Sequence, residues 1–131
     1  MFQSQVAFPI TVNFVGDLGD HTHAVWKAPF AGEVIDLWAV PGATITAGAG
    51  TGLSMVLING GAVGTATTAL GTVGAGTADT NWVGTQVYAG SVLSTGATFA
   101  AGDVLCLKYD ETGTVNTAWL NAGFNVRYGT R

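Results

Sequence analysis

Hydrophobic and polar residues alternate along several short stretches of the chain, and turn residues separate these stretches. In VAFPITVNF, residues 6–14, every second side chain is apolar. A period of two is that of a half-buried β-strand. Pro9 lies on the other face and has no N–H to give to a neighbouring strand, so it predicts a strand at the edge of a sheet.

The stretch GEVIDLWAV, residues 32–40, also has the alternation of a strand, but both of its faces are largely apolar. Strict alternation gives one face with Ile35, Leu37 and Ala39 and an opposite face with Val34, Asp36, Trp38 and Val40. Such a strand is either central in a sandwich or covered by a partner. The sequence therefore leaves two interpretations of Trp38, as a core residue or as part of an interface.

Further strands are predicted at residues 25–30, 53–60, 82–94, 103–110 and 117–128, and a polar turn at residues 16–23. In the last two strands, alternation gives one face with Leu105, Leu107 and Tyr109 and one face with Leu120, Ala122, Phe124, Val126 and Tyr128. Residues 61–80 are rich in Gly, Ala and Thr and predict a long loop with at most one thin strand near residues 68–73. No stretch indicates a helix. Residues 1–131 thus predict a single all-β domain, a β-sandwich of jelly-roll or Greek-key type with seven to nine short antiparallel strands.

The amino-acid composition limits the partners and the cellular compartment that are expected for this chain. Only 9% of the 131 residues are charged, against about 25% in ordinary soluble domains, which favours a surface that partner subunits cover. Four scattered cations and a net charge of −4 argue against nucleic acid and against anionic membranes as partners. The opening residues lack the pattern of a secretory signal, and one cysteine makes no intramolecular disulfide, which predicts synthesis in a cytoplasm.

Two segments have the turn pattern of a hairpin that carries a lipoyl or biotinyl arm, APFAGEVIDLWAVPGATITAG at residues 28–48 and GATFAAGDVLCLKYDETG at residues 96–113. Such a hairpin attaches its cofactor to a lysine between the two halves. No lysine occurs between Ala28 and Leu107, so turn chemistry alone explains the pattern. No cofactor is expected.

Reactive side chains are few. If residues 21–23 were extended, the side chains of His21 and His23 would point to the same side and could bind a transition metal with nearby aspartates. A His-x-His pair in a polar loop is usually solvated or hydrogen-bonded, which is the simpler explanation. Cys106 alternates into a strand as a small hydrophobic residue, and no serine lies in a Gly-x-Ser-x-Gly motif. The sequence predicts a protein that is not an enzyme, with a metal enzyme built on the two histidines as an alternative.

The phrases HTHAVWKAPFAGEVIDLWAVPGATITAG and TFAAGDVLCLKYDETGT resemble those of β-sandwich decoration, or cement, proteins and related accessory proteins of tailed-phage heads. The resemblance covers about 45 residues, a third of the chain. It implies a structural virion protein on the capsid exterior that binds the major capsid protein and forms a homo-oligomer, often a trimer. It implies no chemistry and carries no motif residues over to this chain.

An interface is predicted at the N-terminal segment and at two tryptophan faces: Met1, Phe2, Val6, Asp36, Trp38 and Trp119. Exposed tryptophans are typical of protein interfaces. They are also typical of sugar-stacking surfaces, so a carbohydrate-binding β-sandwich is the alternative, as is an accessory role in a phage tail or fibre base.

Overall fold

The computed structural model describes residues 7–15, 21–44, 52–73, 83–84, 86–93, 96–112 and 119–128 of the chain. This described part is all-β, as predicted. No helix in it is long and apolar enough to cross a membrane.

Ten strands form two antiparallel sheets. They are β1 Ala7–Val15, β2 His21–Lys27, β3 Gly32–Pro41, β4 Gly52–Asn59, β5 Thr68–Val73, β6 Tyr88–Ala89, β7 Ser91–Val92, β8 Thr98–Phe99, β9 Val104–Thr112 and β10 Trp119–Tyr128. Sheet 1 has the order β1-β10-β3-β6, with β8 also paired to β3, and sheet 2 has the order β2-β9-β4-β5-β7.

The pairing of the strands is nested from the ends of the chain inward. The first strand, β1, pairs with β10, then β2 with β9, β3 with β6, and β4 with β5. Successive pairs alternate between sheet 1 and sheet 2, as in a long hairpin that is folded over on itself. This arrangement is the double-sheet jelly roll. The predicted β-sandwich is confirmed, and the strand order selects the jelly-roll form.

The core lies between the two sheets and is built from alternate positions of the long strands. On β9 it takes Leu105, Leu107 and Tyr109, and on β10 Leu120, Ala122, Phe124 and Val126, all fully buried. These are the faces that the alternation predicts. Each sheet therefore turns its remaining positions outward, and the candidate sites lie there.

Aromatic rings close one end of the core. The indole of Trp26, at the end of β2, meets the rings of Phe99 and Phe124 edge-on, with centroids 5.4 Å and 6.2 Å apart. It meets Phe30 in the same way at 5.9 Å. Edge-to-face packing at these distances is favourable beyond the area that it buries. Trp26 is consequently a residue that joins the two sheets.

The chain passes from sheet 1 to sheet 2 between β6 and β7. Gly90 lies at this crossover, and its N–H donates to the Leu37 carbonyl at 2.7 Å. A Cβ at Gly90 would lie 2.6 Å from Cγ2 of Val73 and 2.8 Å from the Thr72 carbonyl oxygen. No larger residue fits, because backbone and core meet there directly.

The strand boundaries show where the sequence interpretation was right and where it was wrong. β1 is an edge strand, as Pro9 predicts, and β5 is the thin strand expected within residues 61–80. The described residues contain ten strands, more than the seven to nine predicted, because three of them have only two residues. The predicted polar turn is wrong at its end, since β2 already begins at His21.

Candidate functional site

The outer side of sheet 1 carries the most distinctive arrangement of side chains in the described residues. The register of β1, β10 and β3 places three cross-strand rows there, with Trp38 in the middle row and amide side chains in the rows on either side. We call this surface the Trp38 face. It consists of Thr11, Asn13, Asp36, Trp38, Asn121, Gly123 and Asn125.

The indole of Trp38 lies flat on the neighbouring strand. A Cβ built on Gly123 would be 2.2 Å from Cζ2 of Trp38, 2.6 Å from Cε2 and 2.8 Å from Cη2. Three such similar distances place that position over the ring, because an atom beyond the edge of the ring would be much farther from the second and third carbons. Gly123 thus makes room for the indole. One face of the ring contacts the sheet, the other points away from it, and the residue is half-buried.

Amide side chains are held in place on both sides of the indole. On one side, Nδ2 of Asn13 donates to Oδ1 of Asn121 across the β1–β10 pair. On the other, Oδ1 of Asp36 accepts from the Nδ2 of Asn125 and from its backbone N–H, the latter at 3.2 Å. Both bonds use the same oxygen of the exposed Asp36 carboxylate, and no hydrogen bond within the described residues uses the second one.

A β-bulge changes which residues of β3 point outward. The register between β10 and β3 shifts so that Asn125 pairs with Asp36 while Val126 pairs with Val34. The extra residue is Ile35, which is 37% exposed, whereas Val34 is buried. The prediction that Ile35 shares a face with Leu37 is therefore wrong, as is the one that Val34 shares a face with Trp38. The phase changes at the bulge, and alternation alone carries no signal of it.

An ion pair lies at the far end of the same two strands. Nη2 of Arg127 is 2.6 Å from Oε1 of Glu33, and Nε donates to the same oxygen at 3.1 Å. The guanidinium and the carboxylate are both partly shielded from solvent. The charge of Arg127 is thus matched locally by Glu33.

The two candidate metal ligands lie on β2, and the side chain of His23 is on the side of the strand that turns toward sheet 1. His23 is half-buried, and its ring meets that of the buried Tyr109 edge-on, with centroids 5.9 Å apart. The side chain of His21 lies outside the described part. Within the described residues, no three His, Cys, Asp or Glu side chains form a group that could hold a metal ion.

Two further groups that could react, the Cys106 thiol and the Asp103 carboxylate, have structural roles. Cys106 is 2% exposed, and burial raises the pKa of its thiol, so the nucleophilic thiolate is disfavoured. The Asp103 carboxylate accepts from the Ala100 N–H at 2.8 Å and from Nδ2 of Asn59 at 2.9 Å. Asp103 therefore fixes the turn that precedes β9. This role explains the aspartate of the segment FAAGDV, residues 99–104, by local structure.

Asp36 and Trp38 are the two residues of the predicted interface whose side chains the structure describes. Met1, Phe2 and Val6 lie outside the described residues, as does the side chain of Trp119 at the start of β10. Asp36 and Trp38 are brought together. Sequence reasoning missed the asparagines and Gly123, whose roles depend on the β1–β10–β3 register, which alternation does not specify.

Comparisons with known proteins give a likeness in fold. No known family model matches the chain, and no curated protein matches it. A chain in the acidic stable capsid structure of Helicobacter pylori bacteriophage KHP30 superposes with a TM-score of 0.57 and 11% identity, over 95% of this chain and 90% of that one. This likeness shows a shared fold.

Two further solved structures are more distant. A chain in the capsid asymmetric unit of cyanophage Pam1 has a TM-score of 0.48 and 11% identity, over 94% of this chain and 84% of that one. A chain of the disulfide-linked pili described as Bacillus endospore appendages has a TM-score of 0.36 and 13% identity, over 100% and 95%.

Proposed function

We propose that this chain is a non-enzymatic structural protein of a phage virion, and specifically a head decoration protein that binds and stabilises the assembled major capsid lattice. The observation that carries the proposal is the shared fold with a chain of the KHP30 capsid structure over nearly the whole length of both. A fold alone does not specify a function. Surface chemistry has to supply the rest of the argument.

The surface supports an assembly role. Charged residues make up 9% of the chain, and the Trp38 face presents an indole with polar side chains around it. Interfaces concentrate their binding energy in a few central residues, among which tryptophan is enriched, and polar neighbours at the rim exclude water. Trp38 fits the central position, and Asn13, Asn121 and Asn125 fit the rim. In this proposal Asp36 and Trp38 contact the capsid on its exterior, together with Met1, Phe2, Val6 and Trp119.

The proposal includes self-association, with a trimer as the favoured form. Decoration proteins act at positions where several capsid subunits meet, and a closed symmetric oligomer matches the symmetry of such positions. Sedimentation velocity of the purified chain tests this part. A single species at three times the chain mass is the expected result, and a monomer at all concentrations contradicts the trimer.

Capsid binding is tested by co-sedimentation of the purified chain with expanded capsid shells of the phage that encodes it. The wild-type chain should sediment with the shells at a fixed ratio to the major capsid protein. Trp38→Glu should abolish this binding while the far-ultraviolet circular dichroism spectrum is retained, because the residue lies on an outer face. Thr72→Glu is the matched control, since it adds the same charge at an exposed position of sheet 2.

Two results contradict the proposal in different ways. A folded wild-type chain that never sediments with shells removes the capsid role itself. Collapse of the Trp38→Glu variant, with a folded Thr72→Glu variant, instead shows that Trp38 acts in the fold and removes only its interface role.

A second candidate function, glycan binding, is favoured by one specific observation. An indole that lies flat on a sheet with asparagine side chains on both sides can stack against the apolar face of a sugar ring while the amides bind its hydroxyls. Titration with an oligosaccharide panel, followed by tryptophan fluorescence, tests this function. A saturable change that Trp38→Phe reduces would support it, and no change with any sugar would remove it.

A further inference from the structure

The Trp38 face places a carboxylate beside an indole in a specific way. Asp36 and Trp38 are two residues apart on β3, which puts their Cα atoms about 6.7 Å apart along the strand. Both side chains lean toward β10: the Asp36 carboxylate bonds to Asn125, and the indole lies over Gly123. Asn125 and Gly123 are themselves two residues apart, so carboxylate and ring lie side by side above the same strand.

Each of the two groups has an open side. Outward from Gly123, the indole presents the face of its ring, and the outer faces of aromatic rings attract cations within about 6 Å. Asp36 uses Oδ1 for Asn125 and is exposed. Among the described residues Asp36 forms no ion pair, and Arg127, two residues after Asn125 on β10, pairs with Glu33.

Burial of this face in an assembly would leave Asp36 with an uncompensated charge. An ionised carboxylate removed from water without a partner costs several kcal/mol, so a partner that covers it has to bring a cation or strong donors. The chain itself has a net charge of −4, which favours a basic partner surface in the same sense. The negative charge of Asp36 therefore favours a partner that brings a cation to this face.

We propose that the Trp38 face receives an arginine side chain of its protein partner, with the guanidinium stacked on the outer face of the indole and bonded to the free oxygen of Asp36. This inference rests on the proposed function for the identity of the partner as a capsid protein. Arginine fits better than lysine because its planar group can stack on a ring and donate in its own plane at the same time. A neutral sugar satisfies the indole but leaves the carboxylate charge unmatched.

The site can be examined without a capsid. N-acetyl-arginine amide is titrated into the full chain, and the indole N–H signal of Trp38, assigned with Trp38→Phe, is followed by NMR. N-acetyl-citrulline amide, the uncharged isostere, is the matched control ligand. The arginine amide should shift the Trp38 signal and the Asn125 side-chain signals, with citrulline at least about 10-fold weaker, as expected for loss of a charge-assisted hydrogen bond.

Variants separate the local contact from general electrostatics. Asp36→Asn should weaken binding of the arginine amide about 10-fold or more. Glu33→Gln, which removes the same charge from the same strand, should leave it unchanged. Equal shifts with citrulline, or equal losses in the two variants, would overturn the inference. Shifts at Trp38 with an oligosaccharide panel and none with the arginine amide would overturn it in favour of a glycan site.

Binding of the chain to capsid shells is the second test. With wild-type binding established, Asp36→Asn should weaken it about 10- to 100-fold and reduce its dependence on salt, while Glu33→Gln should not. Unchanged binding of Asp36→Asn overturns the arginine contact and leaves the decoration function in place. No binding of the wild-type chain removes the decoration function, and the arginine titration still decides the chemistry of the site.

Discussion

The two sheets differ in how completely they bury the apolar side chains on their outer faces. On sheet 2, Ile58 and Cys106 pair with each other across β4 and β9 at outward positions, yet both are buried. Residues 64–67 line a groove together with Ile58 on this side. On sheet 1, Trp38 occupies an equivalent outward position in a central strand and is only half-buried. Sheet 2 thus buries Ile58 and Cys106 at outward positions, whereas sheet 1 leaves part of Trp38 available to a partner.

The comparison predicts that truncation destabilises the chain more on sheet 2 than on sheet 1. Ile58→Ala should lower the free energy of unfolding of the isolated chain by about 2–5 kcal/mol, since a buried side chain is replaced by a cavity. Trp38→Ala should lower it by only about 1 kcal/mol, the centre of the range for point substitutions, although its side chain is larger. Urea unfolding of both variants measures the difference. The reverse order would make Trp38 a core residue and would end the distinction between the faces.

The contact between Trp38 and Gly123 gives the next largest effect. Gly123→Ala should destabilise the chain by about 1–3 kcal/mol, because the new Cβ overlaps the indole and forces it from the strand. All three of the nearest atoms to that Cβ belong to Trp38. The same substitution in a Trp38→Ala background should therefore cost little.

A double-mutant cycle from urea unfolding measures this coupling. Additive costs of the two substitutions would show that the backbone of Gly123, and not the space above it, decides the effect. The indole would then not lie as described.

Two ionisable groups of sheet 2, Cys106 and Tyr109, are buried, which makes the stability of the chain depend on pH. Burial raises the pKa of the Cys106 thiol above 9.0 and that of the Tyr109 phenol above 10.0. Because the folded chain binds these protons more tightly than the unfolded chain, this stability is fully present below about pH 9 and is lost as the pH rises further.

Thermal unfolding between pH 7 and pH 11 measures the loss. Tyr109→Phe should reduce the decline of the unfolding temperature at the alkaline end of this range. Cys106→Ala should reduce the part of the decline that begins near pH 9. Profiles identical to that of the wild-type chain would show that neither group contributes.

The alternation of the sequence predicted the inward faces of β9 and β10, the edge position of β1 and the sandwich itself, because burial on one face imposes a period of two. It did not predict the cross-strand partners. That Gly123 lies beneath Trp38, and that Asn125 holds Asp36, depends on the register between β3 and β10. The bulge at Ile35 reverses the phase of part of β3, and no residue in GEVIDLWAV indicates it.

The smallest expected effect is the most informative about the Trp38 face. Asp36→Asn should change the free energy of unfolding of the isolated chain by no more than about 0.5 kcal/mol, because an amide oxygen can still accept from both donors of Asn125. The same substitution should strongly weaken capsid binding if an arginine approaches Asp36. A carboxylate that contributes little to the fold but much to binding is placed for a partner. Unfolding and co-sedimentation of this one variant measure both quantities, and a large loss of stability would assign Asp36 to the fold instead.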